Sequence, residues 1–173
     1  MTWWKSALYD TCSLITLDKL LLERPTIERH FPRRILALEK SFSADQMRVT
    51  TVKRMKKKVT IQELPSPTDL ATIYSSISLS VALAEVDKLV CATAIHFGLS
   101  VVTGDRRLGR TLRDQGLQVT DMVSILRELA ETGKITQKGC VRLLKGLAKR
   151  HDLLLGKESP TWEDIENHKF PDR

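Results

Sequence analysis

The sequence predicts an α/β fold in which a central parallel sheet lies between two layers of helices, and three observations lead there. Short apolar stretches that read as strands alternate with longer helical stretches, the pattern of a parallel sheet covered on both faces. The 173 residues suit one domain, large enough to bury roughly two-thirds of its unfolded surface. Apolar residues make up 42% of the chain against 8 Gly and 6 Pro, which suits a globular, helix-rich protein.

The elements follow in order. "SALY" (6–9) is a short strand ending at Asp10, and "SLITLDKLLLE" (13–23) reads as a helix stopped near Pro25. "PRRILALEKSF" (32–42) has Pro32 at a position suited to a first helical turn and is expected to be helical. "RVTTVKRMKKKVTIQEL" (48–64), rich in Val and Thr, is expected to form one or two strands around a charged turn. "PSPTD" (65–69) opens another helix, and "SLSVALAEVDKLVCATAIHFG" (78–98) is the strongest helical stretch, closed by Gly98. "LSVVTGD" (99–105) is a strand, "RRLGRTLRDQG" (106–116) a basic amphipathic helix and "LQVT" (117–120) a strand. Helices are expected near 121–132 and 136–150, so residues 1–156 form the domain and the polar segment 157–173 a loosely attached tail.

The formal charge of +7 suits a polyanionic partner without identifying one. Three cysteines with no CxxC spacing argue against a disulfide framework and a zinc site, and suit a reducing compartment. The N-terminus lacks the apolar run of a signal peptide, and no stretch approaches the ~18 apolar residues of a membrane span. The expectation is a cytoplasmic protein with no membrane partner.

In parallel sheets ligands bind beyond the carboxyl ends of the strands, where Asp10 and Asp105 stand. Helical periodicity puts Asp87 on one stripe with Leu83, Val90, Cys91 and Ala94, whereas Glu85 points the other way, beside Lys88. Glu39 shares a stripe with Ile35, Leu36 and Phe42, although Asp18 passes the same test among Leu14, Ile15, Leu21 and Leu22. A charge in an apolar stripe is costly unless paired. Carboxylates a few ångströms apart repel by ~4 kcal/mol per pair at an effective dielectric of ~20, so a cluster must take up protons or bind a cation. Hard oxygen ligands favour Mg²⁺ or Mn²⁺. Each acid also has a plainer reading: Asp10 and Asp105 as helix N-caps, Asp87 and Glu39 as partners of Arg33, Arg34, Arg106 or Arg107.

"ALYDTCSLITL" resembles the opening of PIN-domain nucleases, an apolar strand followed by Asp-Thr-Ser and an apolar helix. "LAEVDKLVCATAIHFGLSVVTGDRRLGRTLRDQGLQV" resembles the second half of that domain: an acid on an Ala-rich helix, a short strand, then Thr-Asn-Asp and a basic helix. "FPRRILALEKSF" matches the family's middle acid more weakly, and "VTDMVSILRELAETGKI" resembles its single-domain, toxin-like branch. The resemblance covers residues 6–150 and is thin between 43 and 77. It implies a three-layer α/β/α fold with catalytic acids at Asp10, Glu39, Asp87 and Asp105, of which Asp10, Asp87 and Asp105 would hold Mg²⁺ or Mn²⁺. Thr11, Ser13 and Thr103 would support the carboxylates, and Glu85 rivals Asp87. Two departures stand out: Cys12 where Ser is usual, and Gly104 where Asn is commoner.

The implied activity is endoribonuclease cleavage by a metal-activated water, in the toxin of a toxin–antitoxin pair. The implied partners are RNA, an antitoxin-like inhibitor protein and a second copy of the chain. Arg106, Arg107 and Arg110 follow Asp105 and are expected to contact RNA. The run Lys53, Arg54, Lys56, Lys57 and Lys58 reads either as a phosphate-contacting loop or as a solvated turn or protected edge. The rival function is a non-catalytic PIN-like module that binds RNA or scaffolds. A receiver-like phosphoacceptor domain lacks the Lys and the paired acids it needs.

Overall fold

The structure is a computed structural model and describes residues 2–43, 47–77 and 83–171. Its centre is a five-stranded, wholly parallel sheet of order β3-β2-β1-β4-β5. The strands are β1 (Leu8–Tyr9), β2 (Ile35–Ala37), β3 (Val59–Ile61), β4 (Val101–Val102) and β5 (Val119–Thr120). Leu8 stands opposite both Leu36 and Val101, so β1 is paired on both edges.

Period-2 geometry sorts the core into two layers. Tyr9 and Val102 face one way, onto α1 (Thr11–Glu23), α6 (Met122–Glu131) and α7 (Gln137–Lys149), through Leu14, Leu17, Leu126 and Leu144. Leu8 and Val101 face the other way, onto α4 (Glu85–Phe97) and α5 (Arg106–Asp114), through Val90, Cys91, Ala94, Leu108 and Leu112. Strands covered on both faces need apolar residues at consecutive positions, which "LY" and "VV" supply. Gly98 ends α4 in the left-handed region (φ 62°), where a side chain would be strained. Helix α3 (Pro67–Ser76) packs on α4. No helix of the described residues is long and apolar enough to cross a membrane.

Two stretches differ from expectation. Residues 32–42 form β2 and then a 3-10 helix at Glu39–Phe42 rather than one helix. The four apolar residues from Ile35 to Leu38 are a buried-strand pattern, and β1 and β3 both pair with it. Residues 48–64 hold α2 (Val49–Lys56) before β3, not a hairpin. Strand propensity yields there to packing: Thr51 and Met55, one turn apart, are buried, and Arg54 and Thr51 bind the carboxylate of Asp18. Helix α4 starts only at Glu85, and residues 78–82 of its expected length lie outside the described residues.

The segment from 157 is not loose. It contains α8 (Trp162–Glu166), whose Ile165 is fully buried in the core beneath α6 and α7. Arg127 of α6 donates to the carbonyls of Ile165, Glu166 and His168 at 3.4, 3.1 and 3.0 Å. Arg113 of α5 holds that of Phe170 at 2.7 Å. Ring atoms of Phe170 would lie 2.9 Å from a Cβ at Gly109, so α5 carries a glycine where the segment crosses it. Polar composition hides this docking because one isoleucine, one buried histidine and a set of backbone carbonyls carry it.

Truncating Ile165 to Ala should cost about 2–4 kcal/mol in urea unfolding. A loss below about 0.5 kcal/mol, the range of an exposed site, would mean that the segment is not part of the core.

Candidate active site at the sheet's switch point

From β1 the sheet grows outward through β2 and β3, then adds β4 and β5 on the other side of β1. The order therefore reverses between β1 and β4, the place where open parallel sheets bind ligands. Asp10 directly follows β1, and Asp105 follows β4 after Thr103 and Gly104.

Both aspartates cap helices. Asp10 accepts from the Ser13 amide at 2.8 Å, and Asp105 from those of Arg107 and Leu108 at 2.6 and 3.1 Å. Asp10 is also 1% exposed and gathers further donors. The Thr103 hydroxyl donates to its Oδ2, and the Cys12 Sγ lies 3.1 and 3.0 Å from its two oxygens. The Asp105 amide donates to Thr103 Oγ1 at 3.0 Å, the Gly104 amide to Cys12 Sγ at 3.1 Å, and the Ser13 hydroxyl to the Val102 carbonyl at 3.0 Å. Thr103 thus reaches Asp10 through its hydroxyl and Ser13 through its backbone amide, while Thr11 donates to the Ser41 carbonyl at 3.4 Å. Burial raises the Asp10 carboxyl above the ordinary range despite hydrogen bonds from Cys12, Thr103 and Ser13 that pull it down. Burial, then the charge of Asp10, raises the Cys12 thiol, so it stays protonated.

Asp87, in the first turn of α4, joins these two electrostatically. Burial first, then the charges of Asp10 and Asp105, push its carboxyl up to about 6, against a weaker pull from a backbone hydrogen bond at Ala84. The other nominated acids lie elsewhere. Glu85 is exposed and pairs with Lys88 at 2.7 Å. Glu39 stands past the end of β2 but is exposed and pairs with Lys56 at 2.8 Å, so it does not lie on a buried helical face. The ladder to β1 and β3 turns Leu36 and Ala37 into strand, and the chain leaves the sheet at Glu39 with its side chain in solvent.

The basic residues divide in the same way. Arg54 grips Asp18 at 2.7 and 2.6 Å, Lys58 pairs with Glu28, and Lys53 and Lys57 are exposed. Arg106, Arg107 and Arg110 are all exposed on α5 beside Asp105. A cavity of about 380 Å³ opens at Asp105 and Cys12 and is also lined by Arg106, Asp121, Asp152 and His168. Sequence reasoning missed Asp121 and His168. Asp121 repeats the signal of Asp10 and Asp105, ending β5 and capping α6 through the Ser124 amide at 2.9 Å. His168 Nε2 sits 2.6 Å from Asp121 Oδ2, and both side chains are buried.

No family model matches the chain, and no match was found among curated proteins or solved structures. The donor chemistry of Asp10, Asp87 and Asp105 fits a hard divalent cation, since every donor is a carboxylate oxygen and the charges of Asp10 and Asp105 add to burial in raising the Asp87 carboxyl. Their gathering is incomplete. Among the described residues no three His, Cys, Asp or Glu side chains converge as a set that could hold a metal ion. The Asp10 oxygens are turned to Thr103, Cys12 and Ser13, and Asp105 to its own helix.

Because the Asp87 carboxyl is raised, the folded chain keeps a proton that the unfolded chain has lost, and stability falls as pH rises from the ordinary carboxyl value of 3.8 through about 6. Asp87→Asn should therefore stabilise the protein near pH 8 by about 1–2 kcal/mol, after allowing for solvent screening, and by little near pH 4. Urea unfolding at the two pH values checks this. Equal stabilities of variant and wild type at both would show that no charge pressure acts on the carboxyl.

Proposed function

We propose that the chain is a metal-dependent endoribonuclease of the PIN type, with Asp10, Asp87 and Asp105 holding Mg²⁺ or Mn²⁺. The observation that carries this reading is the convergence of Asp10 and Asp105 on the switch point between β1 and β4, with the Asp87 carboxyl pushed up by burial and then by the charges of both. Buried carboxylates at Asp10 and Asp87 beside a ligand-binding edge call for positive charge, and among the described residues no lysine or arginine hydrogen-bonds to the Asp10 carboxylate. A bound cation would supply Lewis acidity for attack of water on a phosphodiester. The chain's own part is to orient Asp10 through Thr103 and Ser13, to hold Asp105 at the head of α5, and to present Arg106, Arg107 and Arg110 to the RNA backbone. On the same reading the protein is a cytoplasmic homodimer and the toxin of a toxin–antitoxin pair, silenced by an inhibitor protein.

One observation favours a second reading, a non-catalytic RNA-binding module. The Cys12 thiol touches both oxygens of Asp10, and the acids do not form a ready coordination set.

Cleavage of a mixed-sequence single-stranded RNA with Mn²⁺ or Mg²⁺, wild type against Asp87→Asn, separates the two. A nuclease should need the metal and lose ~100-fold or more of its rate in the variant. Binding without metal-dependent cleavage of either single-stranded or structured RNA would establish the second reading.

A further inference from the structure

Substrate must reach Asp105, and the cavities show from which side. The cavity at Asp105 shares Arg106 and His168 with an adjoining hollow of about 770 Å³. The other walls of that hollow are Leu155, Lys157, Asp164, Asn167 and Lys169, all from the docked C-terminal segment and the loop before it. The two spaces adjoin at Arg106 and His168, with Asp105, Asp121 and Asp152 lining the first and Lys157 and Lys169 the second. In the second hollow three cations, Arg106, Lys157 and Lys169, face one carboxylate. Asp164 is committed to Lys157 at 2.5 Å, whereas Arg106 and Lys169 are exposed and have no ion-pair partner among the described residues.

The segment is also held in a fixed register. His168 is buried against Asp121, and Arg127 holds the carbonyls on either side of Asn167, those of Glu166 and His168. The two residues that flank His168 in sequence, Asn167 and Lys169, are both exposed and line the hollow. A loose tail could not present a cation at a set distance from Asp105, but a tail pinned at His168 can.

We propose that Arg106 and Lys169, with Asn167 as a neutral hydrogen-bonding partner, form a phosphate track that leads single-stranded RNA along the C-terminal segment to Asp105. This rests on the ribonuclease reading and extends it: the backbone is gripped on the α5 and C-terminal side, not by the basic run 53–58, of which Arg54, Lys56 and Lys58 are already paired. Phosphate contacts position a strand without reading its bases, so the track is independent of sequence.

The test measures binding of a labelled mixed-sequence single-stranded RNA in EDTA, by fluorescence anisotropy across a salt series. Lys169→Glu is compared with Lys149→Glu, which makes the same change in net charge at the exposed far end of α7. Metal-dependent cleavage by the wild type is measured in parallel. Lys169→Glu should weaken binding at least ~5-fold more than Lys149→Glu and lower the salt slope by about 0.7. Equal weakening by the two variants would overturn the track, and if the wild type cleaves, the nuclease reading survives that result. Selective weakening by Lys169→Glu without cleavage by the wild type would keep the track and remove the nuclease. A wild type that binds no RNA overturns the track, and one that neither binds nor cleaves overturns both.

Discussion

The seam between β1 and β4 is the constraint on which the rest of the molecule depends. Backbone bonds from Leu8 to Ser100 and from Asp10 to Val102 draw the first strand against a strand late in the sequence, and the Ser13 hydroxyl closes on the Val102 carbonyl. Because both strands are two residues long, each alternates once, and that single alternation decides which helices lie on which face. It also brings Thr103 onto Asp10, so the polar end of the seam is built by the same pairing that builds the core.

Two buried aspartates of neighbouring parts of the chain show how differently a charge can be accommodated. Asp18 receives a two-pronged guanidinium and a hydroxyl, from Arg54 and Thr51, and its charge is balanced within the fold. Asp10 receives an amide, a hydroxyl and a thiol, which solvate it but bring no positive charge. A carboxylate solved in the first way is structural. One solved in the second way still attracts a cation or a proton, and its charge adds to burial in raising the Asp87 carboxyl.

Much of this was legible in the sequence, wherever local pattern and tertiary demand agreed. Strand-then-aspartate at Tyr9–Asp10 and the stretch from Glu85 to Thr120 read correctly because apolar runs, caps and Gly98 all point one way. Asp87 stood out because its stripe was otherwise apolar, and the same stripe is buried around it. Asp18 passed that test too, and only the packing of α2 shows that its partner is Arg54. Residues 32–42 and 48–56 were misread because Ile35–Leu38 is short enough to be either element and because α2 opens on four β-branched residues and is held by Met55 and by the pairing of Arg54 with the buried Asp18. No periodicity could have announced the docking of the last segment, whose ties are one isoleucine, one histidine and backbone carbonyls that leave no mark on composition.

The seam has a consequence for the timing of synthesis. Thr103 and Asp10 lie 93 residues apart in sequence, and contacts of that span form late because long loops must close first. At ordinary translation rates roughly 5–20 s separate the emergence of the two strands. During that interval the inner edge of β1 has no partner and Asp10 no threonine. The carboxylates therefore come together only after most of the chain has been made, and a nascent chain carries their sequence without their chemistry.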